Sequence, residues 1–345
     1  MGDITRVLVV DDSAFVRKLM RQMLSRSPFI EVVGTAQDGA EALEMVEQLR
    51  PDVVTLDLTM PGADGLTFLQ TQMSLRPVPV IVVSMIAKSD AQVLKALELG
   101  AIDVIQKPTG LASNQVLEIG EELVAKVKAC ASVQLSPITA HPRPNFASPP
   151  PRRLNHNFDV IVFGVSTGGP QALKYLVPLL PADLPVPLLI VMHMPLGYTE
   201  MFAASLNEVS SLSIAEAREG ERIEAGRGYL APAGHHLTLV RQNLATVNAH
   251  LDLRPFDTLH RPSVDVLFRS AADVYGGRTL GVVMTGMGSD GTEGAAWIKA
   301  KGGRIFAEAE ESCVVYGMPR SIIDAGLCDR SVPLGRMSEA ILEAL

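Results

Sequence analysis

The sequence predicts an α/β protein of two doubly wound domains, the first of them flavodoxin-like. Three observations predict it. Short apolar runs alternate with helical patterns over about the first 120 residues and again from Phe158 onward. A proline-rich stretch separates the two halves. The chain has 345 residues, more than one ordinary domain needs.

Strands are predicted at Val7–Val10, Ile30–Gly34, Val53–Leu56, Val80–Val83 and Asp103–Gln106, each followed by a helical pattern. Ser13 can cap the helix through Leu24, and Asp38-Gly39 opens a helix that Pro51 stops. From Ser132 to Asn157, six prolines and few large apolar residues cannot bury enough surface to offset ordering entropy, so the segment reads as a semi-extended linker. The expected boundaries are 1–130, 131–157 and 158–345. In the second domain, strands are predicted at Val160–Val165, Leu188–Met192, Leu280–Met284 and Arg304–Ala307, and helices at Gln171–Leu180, Val264–Tyr275 and Gly291–Ala300. Short runs broken by glycines from Ser213 to Ala249 suggest antiparallel strands.

Composition excludes several classes. The net charge of −8 and the lack of a Lys/Arg cluster weigh against nucleic acid and against anionic lipid. No apolar run is long enough to span a bilayer, and Met1–Arg6 has no signal-peptide pattern. Cys130, Cys313 and Cys328 lack metal spacing and read as reduced cytoplasmic thiols.

Two clusters carry chemistry. In a doubly wound sheet the carboxyl ends of the strands meet at one edge, where ligands bind. Asp11 and Asp12 follow the first strand, Asp57 the third, Ser84 the fourth and Lys107 the fifth. Three convergent carboxylates repel one another unless a cation neutralises them, and their oxygens suit Mg²⁺. Phosphoryl transfer onto Asp57, with Mg²⁺ and Lys107 spreading the charge, is the chemistry this set supports.

In the second half, Gly164-Val165-Ser166-Thr167-Gly168 lies on a strand-to-helix turn and matches a nucleophile elbow. Such a glycine-rich turn can equally cradle a phosphate. A serine nucleophile needs a base and an orienter. His193 ends a strand at the same edge and is favoured as the base, with His235 and His236 behind it. His141 and His156, in or beside the linker, read as solvated, while His250 and His260 sit in polar turns, His260 just ahead of a dense motif. Asp290 sits in a loop with three glycines in six positions, where it can orient the imidazole or cap the helix near Thr292. The order Ser, His, Asp differs from that of α/β-hydrolases.

Asp11-Asp12, the run Asp57–Gly65, Ser84 and Lys107-Pro108 resemble the response-regulator receiver family. That resemblance implies phosphorylation of Asp57 by a histidine kinase, a switch through Ser84 and Lys107, Mg²⁺ held by Asp11, Asp12 and Asp57, and a metal contact from the Thr59 carbonyl. The pattern departs at Val104, where the family often has Tyr or Phe. Gly164–Pro170, His193-Met194-Pro195, Ala231–His236, Arg261–Asp265, Thr285–Gly291 and Tyr316–Arg320 resemble the chemotaxis protein-glutamate methylesterase family (CheB-like). Met192 stands where that family commonly has Gln. The resemblance implies Ser166 as nucleophile, His193 as base, Asp290 as orienter, oxyanion donors at the Thr167 and Met287 N–H groups, and no cofactor for the esterase. It also implies methyl-accepting chemoreceptors as substrate, with glutamine deamidation as a neighbouring activity, and relief of inhibition by the phosphorylated receiver. A general serine esterase and a purely partner-binding output domain are the competing readings.

Overall fold

Two units, Met1–Arg143 and Pro144–Leu345, make up the chain in the computed structural model. The structure describes residues 4–60, 64–84, 90–107, 113–131, 133, 157–243 and 245–345. Most of the expected linker, with His141 and His156, lies outside the described residues, as do Pro61–Ala63 and Pro108.

In the first unit, β1 (Thr5–Val10), α1 (Ala14–Leu24), β2 (Ile30–Ala36), α2 (Gly39–Leu49), β3 (Val53–Leu56), α3 (Gly65–Leu75), β4 (Val80–Ser84), α4 (Asp90–Glu98), β5 (Asp103–Gln106) and α5 (Ser113–Ala131) alternate strictly. The parallel sheet has the order β2-β1-β3-β4-β5, so its direction of winding reverses beside β1. Local chemistry sets the helix starts. The Ser13 hydroxyl accepts from the Val16 N–H, and Asp38 accepts from the Glu41 N–H. Arg50, in the left-handed region, ends α2 ahead of Pro51.

The second unit runs β6 (Val160–Val165), α6 (Gly169–Leu176), β7 (Leu188–Met192), α7 (Thr199–Val209), β8 (Ser213–Glu216), β9 (Arg227–Leu230), β10 (His236–Asn243), β11 (Thr246–Asp252), α8 (Val264–Tyr275), β12 (Thr279–Val283), α9 (Thr292–Ala300), β13 (Arg304–Glu308), α10 (Met318–Asp324), β14 (Arg330–Val332) and α11 (Leu334–Ala344). Its seven-stranded sheet has the order β14-β13-β12-β6-β7-β9-β8, and every pairing in it is parallel. β6 is buried along its whole length because helices cover both faces. The winding reverses at β6, so the crevice of this fold opens at the end of β6, between β7 and β12.

The antiparallel expectation for Ser213–Ala249 holds for the β10–β11 hairpin and for the bridge between Arg222 and Asn248 beside it. β8 and β9 are parallel strands of the main sheet. The segment between them returns along β11: the Ile223 N–H donates to the Val247 carbonyl at 2.9 Å, and the Ala249 N–H to the Glu221 carbonyl at 2.7 Å. Alternating short runs reveal strands but carry no information on their direction. The helix expected over Gln171–Leu180 stops at Leu176, and a single 3₁₀ turn through Pro178 finishes it.

Candidate active site and the acidic cluster

Ser166 is the first residue after β6 and His193 the first after β7. These strands are hydrogen-bonded neighbours, with Val165 opposite Met192. The His193 N–H donates to the Val165 carbonyl at 3.1 Å, and the Ser166 N–H donates across to Thr285, after β12, at 3.0 Å. The nucleophile candidate and the base candidate therefore leave adjacent strands at the same edge.

The turn after Ser166 is made by Gly168, whose φ is +79° and which begins α6 with Pro170 in its first turn. A Cβ at Gly168 would lie 2.6 Å from the Val314 side chain. Beneath the turn, the Thr285 hydroxyl donates to the Thr167 carbonyl at 2.9 Å and accepts from the Val315 N–H at 2.9 Å. The wholly buried Glu308 accepts from the Thr285 N–H at 2.9 Å and from the Ser312 hydroxyl at 3.0 Å. Burial raises the Glu308 carboxyl above its ordinary range. Ser166 and Thr167 are themselves almost fully buried, while Met287 is half-buried on the 286–291 loop.

His193 Nε2 lies 2.8 Å from Asp290 Oδ2, and both side chains are about nine-tenths buried. His193 Nδ1 is buried and has no hydrogen-bond partner. The neutral ring that fits carries its proton on Nε2, donated to Asp290, and keeps the Nδ1 lone pair for a proton. Asp290 accepts more than the imidazole: Oδ1 takes the Ser263 hydroxyl at 2.8 Å and the Asp265 N–H at 3.0 Å, and Oδ2 takes the Val264 N–H at 2.8 Å. Burial would raise its carboxyl, but His193 and the N–H groups at the start of α8 together hold it below the usual carboxylate range. Asp290 caps α8 and not the helix that follows it, so its capping role and its contact with His193 coexist.

The two other histidines considered as bases are placed elsewhere. His236 is fully buried, with Nδ1 accepting the Ser263 N–H at 3.2 Å and Nε2 3.2 Å from the Pro255 carbonyl. Burial lowers its pKa, so it is a neutral brace under the loop that carries Ser263. His235 is exposed.

In the first unit, oxygens of Asp11, Asp12 and Asp57 gather within 4.8 Å of one another. Asp11 and Asp57 are buried and Asp12 is exposed. Lys107 Nζ bridges the buried pair, 2.6 Å from Asp11 and 2.7 Å from Asp57. Burial disfavours the ammonium, but hydrogen bonds and charge from both carboxylates outweigh it and raise its pKa. Burial also raises Asp11 above its ordinary value, against the pull of Lys107. Thr59 N–H donates to Asp57 at 3.2 Å, and Lys107 N–H donates to the carbonyl of buried Ser84 at 2.7 Å. Hard carboxylate oxygens at one sheet edge fit Mg²⁺. Among the described residues this is the one acidic group so arranged, and none accompanies Ser166.

Residues 161–341 match the family model for CheB methylesterase, and residues 7–117 match that for the response regulator receiver domain. A Myxococcus xanthus protein named protein-glutamate methylesterase/protein-glutamine glutaminase 5 is 48% identical over 334 residues, 96% of this chain and 95% of that one. The chain belongs to the CheB methylesterase family. A Methanosarcina acetivorans family member named protein-glutamate methylesterase/protein-glutamine glutaminase 2 is 42% identical over 99% of both chains. The solved CheB methylesterase catalytic domain of Thermotoga maritima is 40% identical with a TM-score of 0.53, covering 55% of this chain and 99% of that one.

Within this CheB-family fold, several residues at the site escape a reading by motif. The His260 ring stacks on His193 with centroids 4.0 Å apart and planes inclined by 25°, although its sequence setting reads as a polar turn. Ser263 and Asp265 belong to the Arg261–Asp265 run that leads into α8, and only the fold brings them to Asp290. Glu308 has no local signal, and Thr285 opens the 285–291 run without a sign that its hydroxyl holds the Ser166 turn.

Proposed function

We propose that the chain is a protein-glutamate methylesterase activated by phosphorylation of its receiver domain. It hydrolyses γ-methyl esters of glutamate on methyl-accepting chemoreceptors, and deamidates receptor glutamines by the same route. The single observation that carries this is His193, which leaves the strand beside Ser166, bonds Asp290 through Nε2 and keeps Nδ1 buried and unpaired. The names of the family members support the substrate class, including the glutaminase activity.

In this mechanism His193 Nδ1 takes the proton of the Ser166 hydroxyl as Oγ attacks the ester carbonyl carbon. The N–H groups of Thr167 and Met287 hold the oxyanion. The tetrahedral intermediate collapses, the carbon–OCH₃ bond breaks, and His193 returns the proton to methanol. Water, deprotonated by the same nitrogen, then attacks the acyl-Ser166 ester and frees the glutamate carboxylate. Asp290 keeps the ring in the Nε2–H tautomer and stabilises the imidazolium, and no cofactor enters the esterase site.

In the receiver, Asp57 accepts a phosphoryl group from the phosphohistidine of a histidine kinase, forming an acyl phosphate as the phosphorus–nitrogen bond breaks. Asp11, Asp12 and Asp57 hold Mg²⁺, which supplies charge neutralisation for the transfer. Lys107 pairs with the new phosphoryl oxygens, Ser84 approaches them, and the altered surface relieves inhibition of the esterase. Residues 1–130 form the receiver, 131–157 the linker and 158–345 the esterase. The unpaired Cys130, Cys313 and Cys328 suit a cytoplasmic setting, and no nucleic acid or membrane insertion is involved.

Methanol release from methylated receptor, with and without a phosphodonor, tests this. Activity rises with the donor, disappears in Ser166→Ala and stays at its basal level in Asp57→Asn. A normal donor response in Asp57→Asn would refute the switch, and hydrolysis by Ser166→Ala would refute the nucleophile.

A further inference from the structure

The starts of α8 and α9 exchange their caps. Neither helix is capped by the side chain of its own N-cap residue, Ser263 or Gly291. Asp290, just before α9, accepts the Val264 and Asp265 N–H groups at the start of α8. Asp265, in the first turn of α8, accepts the Gly291 N–H at 2.9 Å and the Gly294 N–H at 2.7 Å, both at the start of α9 and both on its Oδ1. The two helices meet closely there, because a Cβ at Gly294 would lie 2.9 Å from the Asp265 Cα. Two acids 25 residues apart thus fasten each other's segments.

From this exchange we infer that Asp265 is a positioning residue for the esterase, holding the 286–291 loop so that Asp290 meets His193 Nε2. The inference rests on Asp290 being the orienter of His193. Asp290 lies in a loop with three glycines, Gly286, Gly288 and Gly291, and the bonds to its own carboxylate tie it to the start of α8. On the far side the Thr292 N–H donates to the Ser289 carbonyl within the turn, while the Gly291 and Gly294 N–H groups tie the segment to α8, and both of those bonds end on one oxygen of Asp265. Releasing that oxygen frees the loop to shift, and a shift of about 1 Å in a catalytic group can cost on the order of a hundred-fold in rate. Burial first, and then the charge of Asp290, raise the Asp265 carboxyl to about 7 against the lowering pull of the Gly294 and Gly291 N–H groups. The two N–H bonds ask Asp265 for an acceptor oxygen, which an amide can also supply.

The test measures kcat and KM for methanol release by the full chain with phosphodonor present. Asp265→Ala lowers kcat by about ten- to a hundred-fold with KM within about two-fold, whereas Asp265→Asn, which keeps the acceptor oxygen, stays within about five-fold of wild type. Should Asp265→Ala fail to fold, Asp265→Ser takes its place with the same expectation, since its hydroxyl is too short to reach Gly294. In an Asp290→Asn background the alanine substitution costs nothing further, because its effect passes through Asp290. A merely structural role for Asp265 would instead lower stability and leave kcat of the folded enzyme unchanged, and a role independent of Asp290 would add its full cost to that of Asp290→Asn. Either of those results on kcat overturns the inference while Asp290 keeps its role. If Asp290→Ala retains wild-type kcat, the assignment of Asp290 fails first, and the role of Asp265 falls with it.

Discussion

His193 presents Nε2 to Asp290 at 2.8 Å and leaves Nδ1 buried without a partner. In the serine-protease triad the acid holds Nδ1 and the serine meets Nε2. Here the ring is presented the other way round, with Nε2 toward the acid, which follows from where Asp290 sits: it is tied to the start of α8 by the Val264 and Asp265 N–H groups. Its position relative to the ring is therefore set by a helix terminus and not by the histidine alone.

Replacing Asp290 by Asn separates orientation from shape. The amide can donate to Nε2 and so favours the tautomer with its proton on Nδ1, which cannot accept from Ser166. The expected loss in kcat is on the order of 10³–10⁴-fold, with receptor binding little changed. Steady-state methanol release measures it, and a loss of less than tenfold would contradict the role of the tautomer.

Gly286 lies against Ser166, the proposed nucleophile. A Cβ there would stand 2.4 Å from Met318 Sδ and 2.8 Å from the Ser166 Cβ. Gly286→Ala must push the Ser166 turn or the Met318 side chain aside, and overpacking of this kind costs roughly 1–3 kcal/mol. Activity should fall far more than stability does, by on the order of a hundred-fold, because the displaced residue carries the reacting oxygen. Chemical denaturation alongside methanol release checks both halves.

The coupled acids give a pH signature in stability. Asp265 has its carboxyl raised from 3.8 to about 7 in the folded protein. Between roughly pH 4 and 7 the folded state keeps a proton that the unfolded chain has released, so this contribution is full at the acid end and is lost as pH rises toward 7. Asp290, held below its ordinary range, contributes stability above that range and loses it only in stronger acid. Thermal unfolding of Asp265→Asn should therefore decline less than wild type across that window. Parallel curves would contradict it.

Metal removal should divide the two units. The Asp11, Asp12 and Asp57 cluster is the proposed Mg²⁺ site, and no comparable group accompanies Ser166 among the described residues. EDTA should stop incorporation of labelled phosphoryl from a donor while basal ester hydrolysis continues. Loss of basal hydrolysis in EDTA would point to a metal in the esterase.

Much of this was legible in the sequence where a single segment carries its own signal. Five strand–helix units in the first half, with Ser13 and Asp38 as caps, follow from period and capping chemistry, and the acids fall at strand ends because those strands are parallel. Ser166 and His193 were readable for the same reason. Strand direction in β8 and β9 was not, because alternation is identical in parallel and antiparallel strands. Nor was the exchange between Asp265 and Asp290, since each acid sits near a helix start of its own and only tertiary packing decides which terminus it reaches. His260 reads as a polar turn residue until the fold lays it on His193.

The most direct test of the central claim, that Ser166 is the nucleophile and His193 its base, is covalent trapping with a fluorophosphonate followed by peptide mass spectrometry. The adduct should form on Ser166, and His193→Ala should slow its formation by several orders of magnitude without unfolding the protein. An adduct on a different residue, or labelling of His193→Ala at the wild-type rate, would contradict the account.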